Sequence, residues 1–244
     1  MSNPRLSVVV PAYRAGAQAG VAVKAIRAQF DDLEGGVEII VVDDGSDDDT
    51  RDAALGARAD QVLVHAVNRG KGAAVRTGVL AAHGRTIAFT DADLAYGPDQ
   101  IAGLLAAVET GADVVVGSRK HDAATDLVRA RRLREIGGRV INLLTRIVLL
   151  GHYRDTQCGL KAFEANVGKQ LFERVSVDGF GFDVELFVMV EQNGLVLREV
   201  PVAVRNTTRS TVHVARDATR LVLDLFRIRR RARAGRYRLP GSNG

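Results

Sequence analysis

The sequence predicts an α/β fold in which one doubly wound, mostly parallel sheet forms a single domain with a basic C-terminal helix. Two observations support this prediction. Short β-branched segments alternate with Ala-rich segments of helical periodicity through the first half of the chain, and such alternation is typical of βαβ units. The segments VVV and IIVV are apolar at every position, as expected for strands that helices cover on both faces.

Each element follows from the same pattern. Strands are predicted at 6–11, 37–43, 61–66, 86–91 and 113–117, with helices near 17–30, 49–59, 71–82 and 98–110 between them. The second half predicts an Arg-rich helix that becomes apolar over 127–150, a polar segment, helices near 164–173 and 181–193, a strand at 195–204 and a helix from about Val212. We expect residues 1–215 to form the domain and 216–244 to form a basic helix and a frayed tail.

Composition excludes several classes of protein. The 244 residues are 46% hydrophobic and 26% charged, which is too apolar for a disordered chain. The single cysteine, Cys158, excludes an internal disulfide framework and fits a reducing cytoplasm. No segment approaches the ~20 apolar residues that cross a bilayer, and the N-terminus does not match a signal peptide. We therefore expect a soluble or peripheral protein.

The net charge of +5 is unevenly distributed along the chain. Residues 1–118 carry a net charge of −6, residues 119–154 carry +6, residues 155–215 carry −2 and residues 216–244 carry +7. A uniformly cationic nucleic-acid-binding protein does not have this profile. The profile indicates one region that binds a cation and another that binds an anion.

Three polar clusters follow predicted strands, where ligands bind in doubly wound sheets. Pro11-Ala12-Tyr13 follows the first strand, Asp43-Asp44-Gly45-Ser46 the second and Asp91-Ala92-Asp93 the fourth. Taken alone, the acidic clusters are consistent with turns and helix N-caps. Their common edge favours a site, because Asp91 and Asp93 alternate and present two carboxylates in one direction. Such a pair needs a cation, and Mg²⁺ or Mn²⁺ prefers oxygen ligands.

Seven segments in order resemble family 2 glycosyltransferases with the GT-A fold: VVVPAY, VVDDGSDDDT, NRGKGAAVRTG, FTDADL, VGSR, DTQCGLKAF and GFDVELF. Within this family they are most similar to the polyprenyl-phosphate sugar synthases, the dolichyl-phosphate mannose and glucose synthases and their bacterial relatives. The resemblance runs from about Leu6 to about Arg216. It implies an inverting, metal-dependent transfer of a hexose from UDP-glucose or GDP-mannose to a polyprenyl phosphate, by a peripheral protein at the cytoplasmic face of the cell membrane.

The resemblance also implies roles for individual residues. The donor nucleotide is expected to contact Pro11, Ala12, Tyr13, Asp43, Asp44, Ser46, Asn68, Gly70, Lys71, Asp91, Ala92 and Arg209. Asp91 and Asp93 are expected to hold Mg²⁺ or Mn²⁺, and the catalytic residues are expected to be Asp93, Asp155, Gln157 and Asp183. The acceptor phosphate is expected to bind Arg119, Arg131 and Arg134, since arginine grips phosphate with paired donors.

This sequence departs from the family pattern at two motifs. Arg14-Ala15 stands where relatives have Asn and an acidic residue, which removes an expected base or ribose contact. Ala95 stands where mannosyl members have Gln, and the segments KGAAVR and DTQCG favour a glucosyl-type donor.

Other interpretations of these motifs stay open. Taken alone, the arginines at 131–134 fit a solvated helix face, Lys71 a loop lysine and the acids of GFDVELF a favourable helix N-terminus. The apolar segment 140–150 is either a buried helix or an interfacial one. The seven arginines from Arg227 to Arg238 favour an anionic membrane over RNA, because a single aromatic accompanies them. Cys158 is expected to be a packed residue.

Three other functions are alternatives to transfer onto a lipid phosphate. The first is transfer of the sugar to a saccharide or a small metabolite. The second is nucleotidyl transfer, which the absence of a Gly-rich phosphate loop after the first strand disfavours. The third is nucleotide binding without turnover, which the two departures suggest and the intact Asp91-Ala92-Asp93 disfavours.

Overall fold

The computed structural model describes residues 3–119, 158–205 and 214–240, which form seven strands and seven helices. The strands are β1 (Leu6–Ala12), β2 (Val37–Asp43), β3 (Gln61–Val64), β4 (Thr86–Phe89), β5 (Val114–Ser118), β6 (Lys161–Glu164) and β7 (Leu197–Pro201). The helices are α1 (Ala17–Phe30), α2 (Thr50–Gly56), α3 (Lys71–Ala81), α4 (Asp99–Glu109), α5 (Ala165–Arg174), α6 (Phe182–Gln192) and α7 (Val214–Arg233). The helix predicted over 127–150 lies outside the described residues.

All seven strands form one sheet in the order β3-β2-β1-β4-β6-β5-β7. Every pairing is parallel except those of β6, which runs antiparallel to β4 and β5. The predicted mostly parallel sheet is therefore confirmed. Strand β6 is not among the predicted strands, because its four residues, KAFE, begin with a lysine and end with an acid and do not form an apolar run.

The sheet separates two hydrophobic cores, so its five inner strands are buried on both faces as predicted, whereas the edge strands β3 and β7 are partly exposed. In β1, Val8 and Val10 pack with α1 and α4 on one face, while Val9 packs with α3, α5 and α6 on the other. All three valines are completely buried. This alternation follows from the two-residue period of a strand. Packing on both faces holds the carboxyl ends of the strands, and therefore the start of each loop that follows them, in place.

Four phenylalanines form an aromatic cluster beneath the end of β4. The ring centroids of Phe89 and Phe163 are 6.3 Å apart, those of Phe163 and Phe172 are 5.5 Å apart, and those of Phe89 and Phe182 are 6.0 Å apart. Aromatic pairs at these distances contribute about 0.5–1.5 kcal/mol each beyond their area burial. The cluster gives the polar residues that follow β4 an apolar floor.

The chain after α7 is packed onto the protein, so the expectation of a frayed tail is wrong as far as Pro240. Tyr237 is completely buried and Leu239 is 8% exposed. The Tyr237 hydroxyl donates to Glu185 Oε1 at 2.6 Å, and the Leu239 amide donates to Asn193 Oδ1 at 2.8 Å. Both partners lie on or next to α6, so the tail fastens α7 against that helix.

None of the described helices has the length and apolar character needed to cross a bilayer.

Candidate active site

The predicted polar clusters meet at one edge of the sheet. Strand β1 lies between β2 and β4. From β1 the chain continues to β2 and β3 on one side, and it then returns to place β4 on the other side. This is the topological switch point, where the loops at the carboxyl ends of parallel strands leave a crevice. Tyr13 follows β1, Asp44 follows β2 and Asp91 follows β4 within two residues.

Asp44 anchors the loop that contains Asn68 and Gly70. Its two carboxylate oxygens accept hydrogen bonds from the backbone amides of Arg69 at 3.0 Å and Gly70 at 2.7 Å. Its Oδ1 also lies 2.6 Å from His65 Nδ1, and His65 Nε2 lies 2.9 Å from the Thr77 hydroxyl. Asp44 is 3% exposed, and its contacts show that it holds this loop in place. The sequence motif does not reveal this difference between Asp44 and Asp43.

Glycines let the neighbouring loops approach one another closely. Gly45 has φ 76°, and a Cβ there would lie 2.5 Å from the Val67 carbonyl carbon. Gly70 has φ 114°, and a Cβ there would lie 2.5 Å from the Asp178 carbonyl oxygen. Both positions require glycine for backbone conformation and for space. The loop between β3 and α3 is consequently held between the β2 loop and residues 178–179.

Ser46 and Arg14 join the first cluster to the second. The Arg14 amide donates to Ser46 Oγ at 2.8 Å, and the Arg14 guanidinium donates twice to the Asp47 carboxylate, at 2.9 and 2.8 Å. The guanidinium also lies 5.3 Å from the centroid of the half-exposed Tyr13 ring. The arginine that replaces the family's asparagine therefore braces this loop. The Asp43 carboxylate accepts from the Ser46 amide at 2.9 Å.

Lys71, the first residue of α3, lies among the acids of the site. Its Nζ is 2.6 Å from Asp91 Oδ1. Burial alone would lower the pKa of Lys71, but attraction to Asp91, Asp183 and Asp93 outweighs it and raises that pKa. Burial, with the negative charge of Asp91, raises the pKa of Asp93. The carboxylates therefore lie where a cation is needed, and in this structure the lysine supplies it.

Asp183 is a buried acid paired with a buried lysine. Lys161 Nζ donates to Asp183 Oδ1 at 2.7 Å and to the Cys158 carbonyl at 2.6 Å, and the two side chains are 1% and 7% exposed. Burial raises the pKa of Asp183, and the charges of Lys161 and Lys71 oppose that rise. Lys161 thus fixes Asp183 and the start of β6 together.

Glu185, two residues after Asp183 on α6, has a different environment. It is completely buried and accepts hydrogen bonds from the Ser176 hydroxyl, the Ser176 and Val177 amides and the Tyr237 hydroxyl, at 2.6–2.9 Å. These contacts make it a structural residue. Cys158 is completely buried, which confirms the prediction of a packed cysteine.

The acceptor residues are only partly described. Arg119 is exposed and directly follows β5. The hydroxyls of Ser118 and Thr90, which precede Arg119 and Asp91, are buried without a hydrogen-bond partner among the described residues. Arg131, Arg134, Asp155, Gln157 and Arg209 lie outside the described residues. Asn68 is exposed at the loop edge, and Ala92 is half-buried between the two aspartates.

Lys161 and His65 are not among the site residues predicted from the sequence, but both hold residues of the site in position. Lys161 lies inside a buried strand, and a buried lysine needs a charged partner. His65 follows β3, and its amide donates to the Asp43 carbonyl at 2.9 Å, which places it beside Asp44. The signal for Lys161 was its position between Leu160 and the apolar pair Ala162-Phe163. The His65 contact depends on the register between β2 and β3, which the sequence does not specify.

The Asp91-Asp93 pair has the chemistry of a divalent-cation site that ligands complete. Within residues 3–119, 158–205 and 214–240, no group of three or more His, Cys, Asp or Glu side chains is arranged to hold a metal on its own. Mg²⁺ commonly binds through one or two carboxylates together with substrate phosphates and water. A Cβ at Gly159 would overlap Asp91 Oδ2, so glycine there leaves room for the Asp91 carboxylate. The residues present therefore fit such an ion.

A doubly wound sheet with a D-x-D segment beside its switch point is the arrangement expected of a glycosyltransferase with the GT-A fold. The family model for glycosyl transferase family 2 matches residues 7–172, and the chain belongs to this family. It is 33% identical to dolichyl-phosphate beta-glucosyltransferase of Drosophila melanogaster, over 96% of this chain and 77% of that protein. The Saccharomyces cerevisiae protein of the same name is 29% identical, over 96% of this chain and 76% of its own.

Solved structures agree on the fold. Mannosyl-3-phosphoglycerate synthase from Rubrobacter xylanophilus matches with a TM-score of 0.71 and 22% identity, over 98% of this chain and 78% of that chain. Glucosyl-3-phosphoglycerate synthase from Mycobacterium tuberculosis, in complex with Mg²⁺ and UDP, matches with a TM-score of 0.69 and 22% identity, over 93% and 79%. The GT-A fold and the assignment as a glycosyltransferase, both expected from the sequence, are confirmed.

Proposed function

We propose that this glycosyltransferase transfers glucose from UDP-glucose to a polyprenyl phosphate, with inversion at the anomeric carbon. The observation that carries the proposal is the group of Asp91, Asp93 and Asp183 around Lys71 at the switch point. This group suits a donor that brings a diphosphate and a cation together. Relatives named dolichyl-phosphate beta-glucosyltransferase, 29–33% identical over nearly the whole chain, support glucose and a lipid phosphate.

On the donor side, the chain's own residues would hold the nucleotide and its charge. Asp43, rather than Asp44, would contact the base or ribose, because both oxygens of Asp44 are already bonded to the loop at 69–70. Asp91 and Asp93 would hold Mg²⁺ or Mn²⁺, which when bound neutralises charge on the departing diphosphate. Lys71, displaced from Asp91, would place its ammonium on a phosphate oxygen.

On the acceptor side, the reaction needs positioning more than a strong base. A phosphate monoester is anionic at neutral pH, so the nucleophile is already charged, and cationic groups have to hold it beside the anomeric carbon. Arg119 follows β5 at the same edge of the sheet as Asp91, and we assign it to the acceptor phosphate. A lipid acceptor also implies that the protein works at a membrane surface, and the cytoplasmic face is the one that the UDP-sugar supply favours.

The test is a transfer assay with purified protein and Mg²⁺ or Mn²⁺. Labelled UDP-glucose and GDP-mannose are each offered with decaprenyl phosphate in detergent, with 3-phosphoglycerate and with a free saccharide, and products are identified by mass spectrometry. We expect glucosyl decaprenyl phosphate from UDP-glucose alone. Transfer to 3-phosphoglycerate or a saccharide, with none to the lipid, would overturn the acceptor assignment.

Variants separate the two sides of the site. Asp91→Asn and Asp93→Asn should each lower transfer by about 100-fold or more, because the cation loses a ligand. Arg119→Ala should lower transfer by on the order of 100-fold while metal-dependent hydrolysis of the donor persists. Arg85→Ala is the matched control, because Arg85 is exposed and precedes β4 at the opposite edge of the sheet. Equal losses for Arg119→Ala and Arg85→Ala would contradict the role of Arg119.

A further inference from the structure

Helix α7 has an apolar surface on each of two opposite sides. Leu225 and Ile228 are 5% and 0% exposed and pack into the core with α6. Val222, Leu223 and Phe226 are 38%, 65% and 69% exposed. A phenylalanine with more than two thirds of its surface in water is the most exposed large apolar side chain among the described residues. The core does not need it, so its exposure requires a different explanation.

The exposed apolar residues share one helix face with arginines. Phe226 lies four positions after Val222 and three after Leu223, and Arg230 and Arg233 continue this spacing toward the end of the helix. Arg227 and Arg229 border this face, and all four arginines are exposed. We call Val222, Leu223, Phe226, Arg230 and Arg233 the outer face of α7.

The opposite side of the helix is fastened in place. The Tyr237–Glu185 and Leu239–Asn193 hydrogen bonds hold the chain after α7 against α6. The Arg231 guanidinium lies 5.4 Å from the centroid of the Tyr237 ring on this inner side. The helix therefore cannot rotate to bury Phe226 without breaking these contacts. The outer face is presented to the surroundings as a rigid surface.

We propose that the outer face of α7 binds an anionic lipid surface, with Leu223 and Phe226 inserted at the boundary between headgroups and acyl chains. An amphipathic helix with arginines around an apolar face has the chemistry of interfacial membrane binding, and the guanidinium groups complement lipid phosphates. From Arg227 to Arg238 the chain has seven arginines and no acidic residue. Two copies of this face would repel one another, so charge favours a lipid surface over self-association.

Phe180 lies just before α6, where that helix approaches α7. It is 41% exposed, and its neighbour Gly181 lies against Asp224 of α7, where a Cβ would be 3.2 Å from the Asp224 Cβ. Phe180 is also one residue from Gly179, which lies beside Gly70 of the donor loop. A lipid surface bound at α7 would therefore lie near the edge of the sheet that we assign to catalysis.

This proposal adds a membrane-binding surface to the proposed function. It can be tested separately, because binding of α7 to lipid requires no sugar donor. The experiment is sedimentation of the full-length protein with vesicles of phosphatidylcholine alone or with 30% phosphatidylglycerol, without nucleotide. We expect binding to the anionic vesicles and little to the neutral ones. Leu223→Ser/Phe226→Ser should lower the partition coefficient by about 10-fold or more, and Arg227→Gln/Arg230→Gln by about 5-fold for each arginine removed.

Matched controls use residues remote from α7. Val21→Ser changes a 60%-exposed apolar residue on α1, and Lys24→Gln/Arg85→Gln removes two exposed cations; both should bind vesicles like the unchanged protein. Because the substituted side chains point outward, circular-dichroism melting should show an unchanged fold. Donor hydrolysis should persist in all variants, so loss of lipid binding is distinguishable from failure of the enzyme assignment.

Three results would overturn the proposal. The first is unchanged vesicle binding by Leu223→Ser/Phe226→Ser. The second is a dimer in sedimentation-velocity experiments that this double variant abolishes, which would assign the face to self-association. The third is binding to a single-stranded RNA probe that depends on Phe226, with no binding to anionic vesicles.

Discussion

Removal of the Lys161 ammonium is the sharpest test of how the site is held together. In Lys161→Met, Asp183 loses the donor at 2.7 Å and the Cys158 carbonyl loses the donor at 2.6 Å. The lysine is 1% exposed and the aspartate 7%, so water cannot replace either contact. Removal of one partner of a buried pair leaves an uncompensated charge and costs about 3–5 kcal/mol. We expect the free energy of unfolding to fall by that amount at neutral pH.

The loss should depend on pH in a defined direction. Burial already raises the pKa of Asp183, and Lys161 opposes that rise, so the variant should raise it further. An acid whose folded pKa lies above its unfolded value destabilises the fold increasingly as pH rises from the unfolded pKa through the folded one. Lys161→Met should therefore be less destabilised at pH 5 than at pH 8.

The assay is urea unfolding followed by far-ultraviolet circular dichroism, because the chain has no tryptophan. Asp183→Asn in the Lys161→Met background should recover about 1–2 kcal/mol, since it removes the buried charge. Activity should stay low in the double variant, because Asp183 is assigned to catalysis. The exposed Lys24→Met is the control and should change stability by less than about 0.5 kcal/mol. A loss below about 1 kcal/mol for Lys161→Met, or strictly additive losses in the double variant, would refute the argument.

Three further predictions concern single contacts. Tyr237→Phe removes the donor to the completely buried Glu185 at 2.6 Å and should lower the free energy of unfolding by about 2 kcal/mol, measured by urea unfolding. Burial raises the pKa of Glu38, but hydrogen bonds led by His83 outweigh it and hold that pKa below 4.5. Glu38 therefore stabilises the fold above about pH 4.5 and loses this effect as pH falls through the folded pKa, so Glu38→Gln should flatten the acid side of the melting-temperature profile. Lys71→Met removes the cation 2.6 Å from its acidic neighbour; it should lower the melting temperature without metal and enlarge the rise that Mg²⁺ produces.

Each of these predictions has its own control and contradicting result. Tyr13→Phe, Glu34→Gln and Lys24→Met change exposed residues of the same types and should leave stability nearly unchanged. A Tyr237→Phe protein as stable as the Tyr13→Phe protein would mean that the tail is not held by Glu185. An acid limb as steep in Glu38→Gln as in the unchanged protein would mean that another carboxylate sets it. An equal Mg²⁺ response in Lys71→Met would mean that the lysine and the ion do not share Asp91.

The sequence alone predicted the mostly parallel sheet and the edge of the sheet at which the polar clusters meet. A continuous apolar run such as VVV in β1 is typical of a strand in a parallel sheet, because helices cover both faces of such a sheet. The position of Asp91 after β4 follows from the same reasoning, since the carboxyl ends of the strands meet at one edge. These inferences needed only local pattern and the rules of sheet topology.

The residues that were missed depend on contacts between distant parts of the chain. Strand β6 is antiparallel and four residues long, and its pairing with β4 and β5 is determined by a connection that local periodicity does not reveal. Tyr237 lies in an arginine-rich segment typical of a disordered tail, and only the buried Glu185 explains its position. Likewise, Asp43 and Asp44 are equivalent in the motif, and the amides of Arg69 and Gly70 distinguish them.

The partners of the acidic residues hold the donor side of the site in place before a metal or a nucleotide binds. Asp44 holds the loop at 69–70, Lys161 holds Asp183, and Lys71 neutralises Asp91. A cluster of carboxylates without these partners would repel itself and open the crevice. With them, binding of a metal and a diphosphate requires the exchange of one ammonium contact rather than a rearrangement of the loops. The acids of the donor side are therefore neutralised in part by Lys71 and Lys161, whereas the exposed Arg230 and Arg233 lie on the face of α7 that we propose binds a lipid surface.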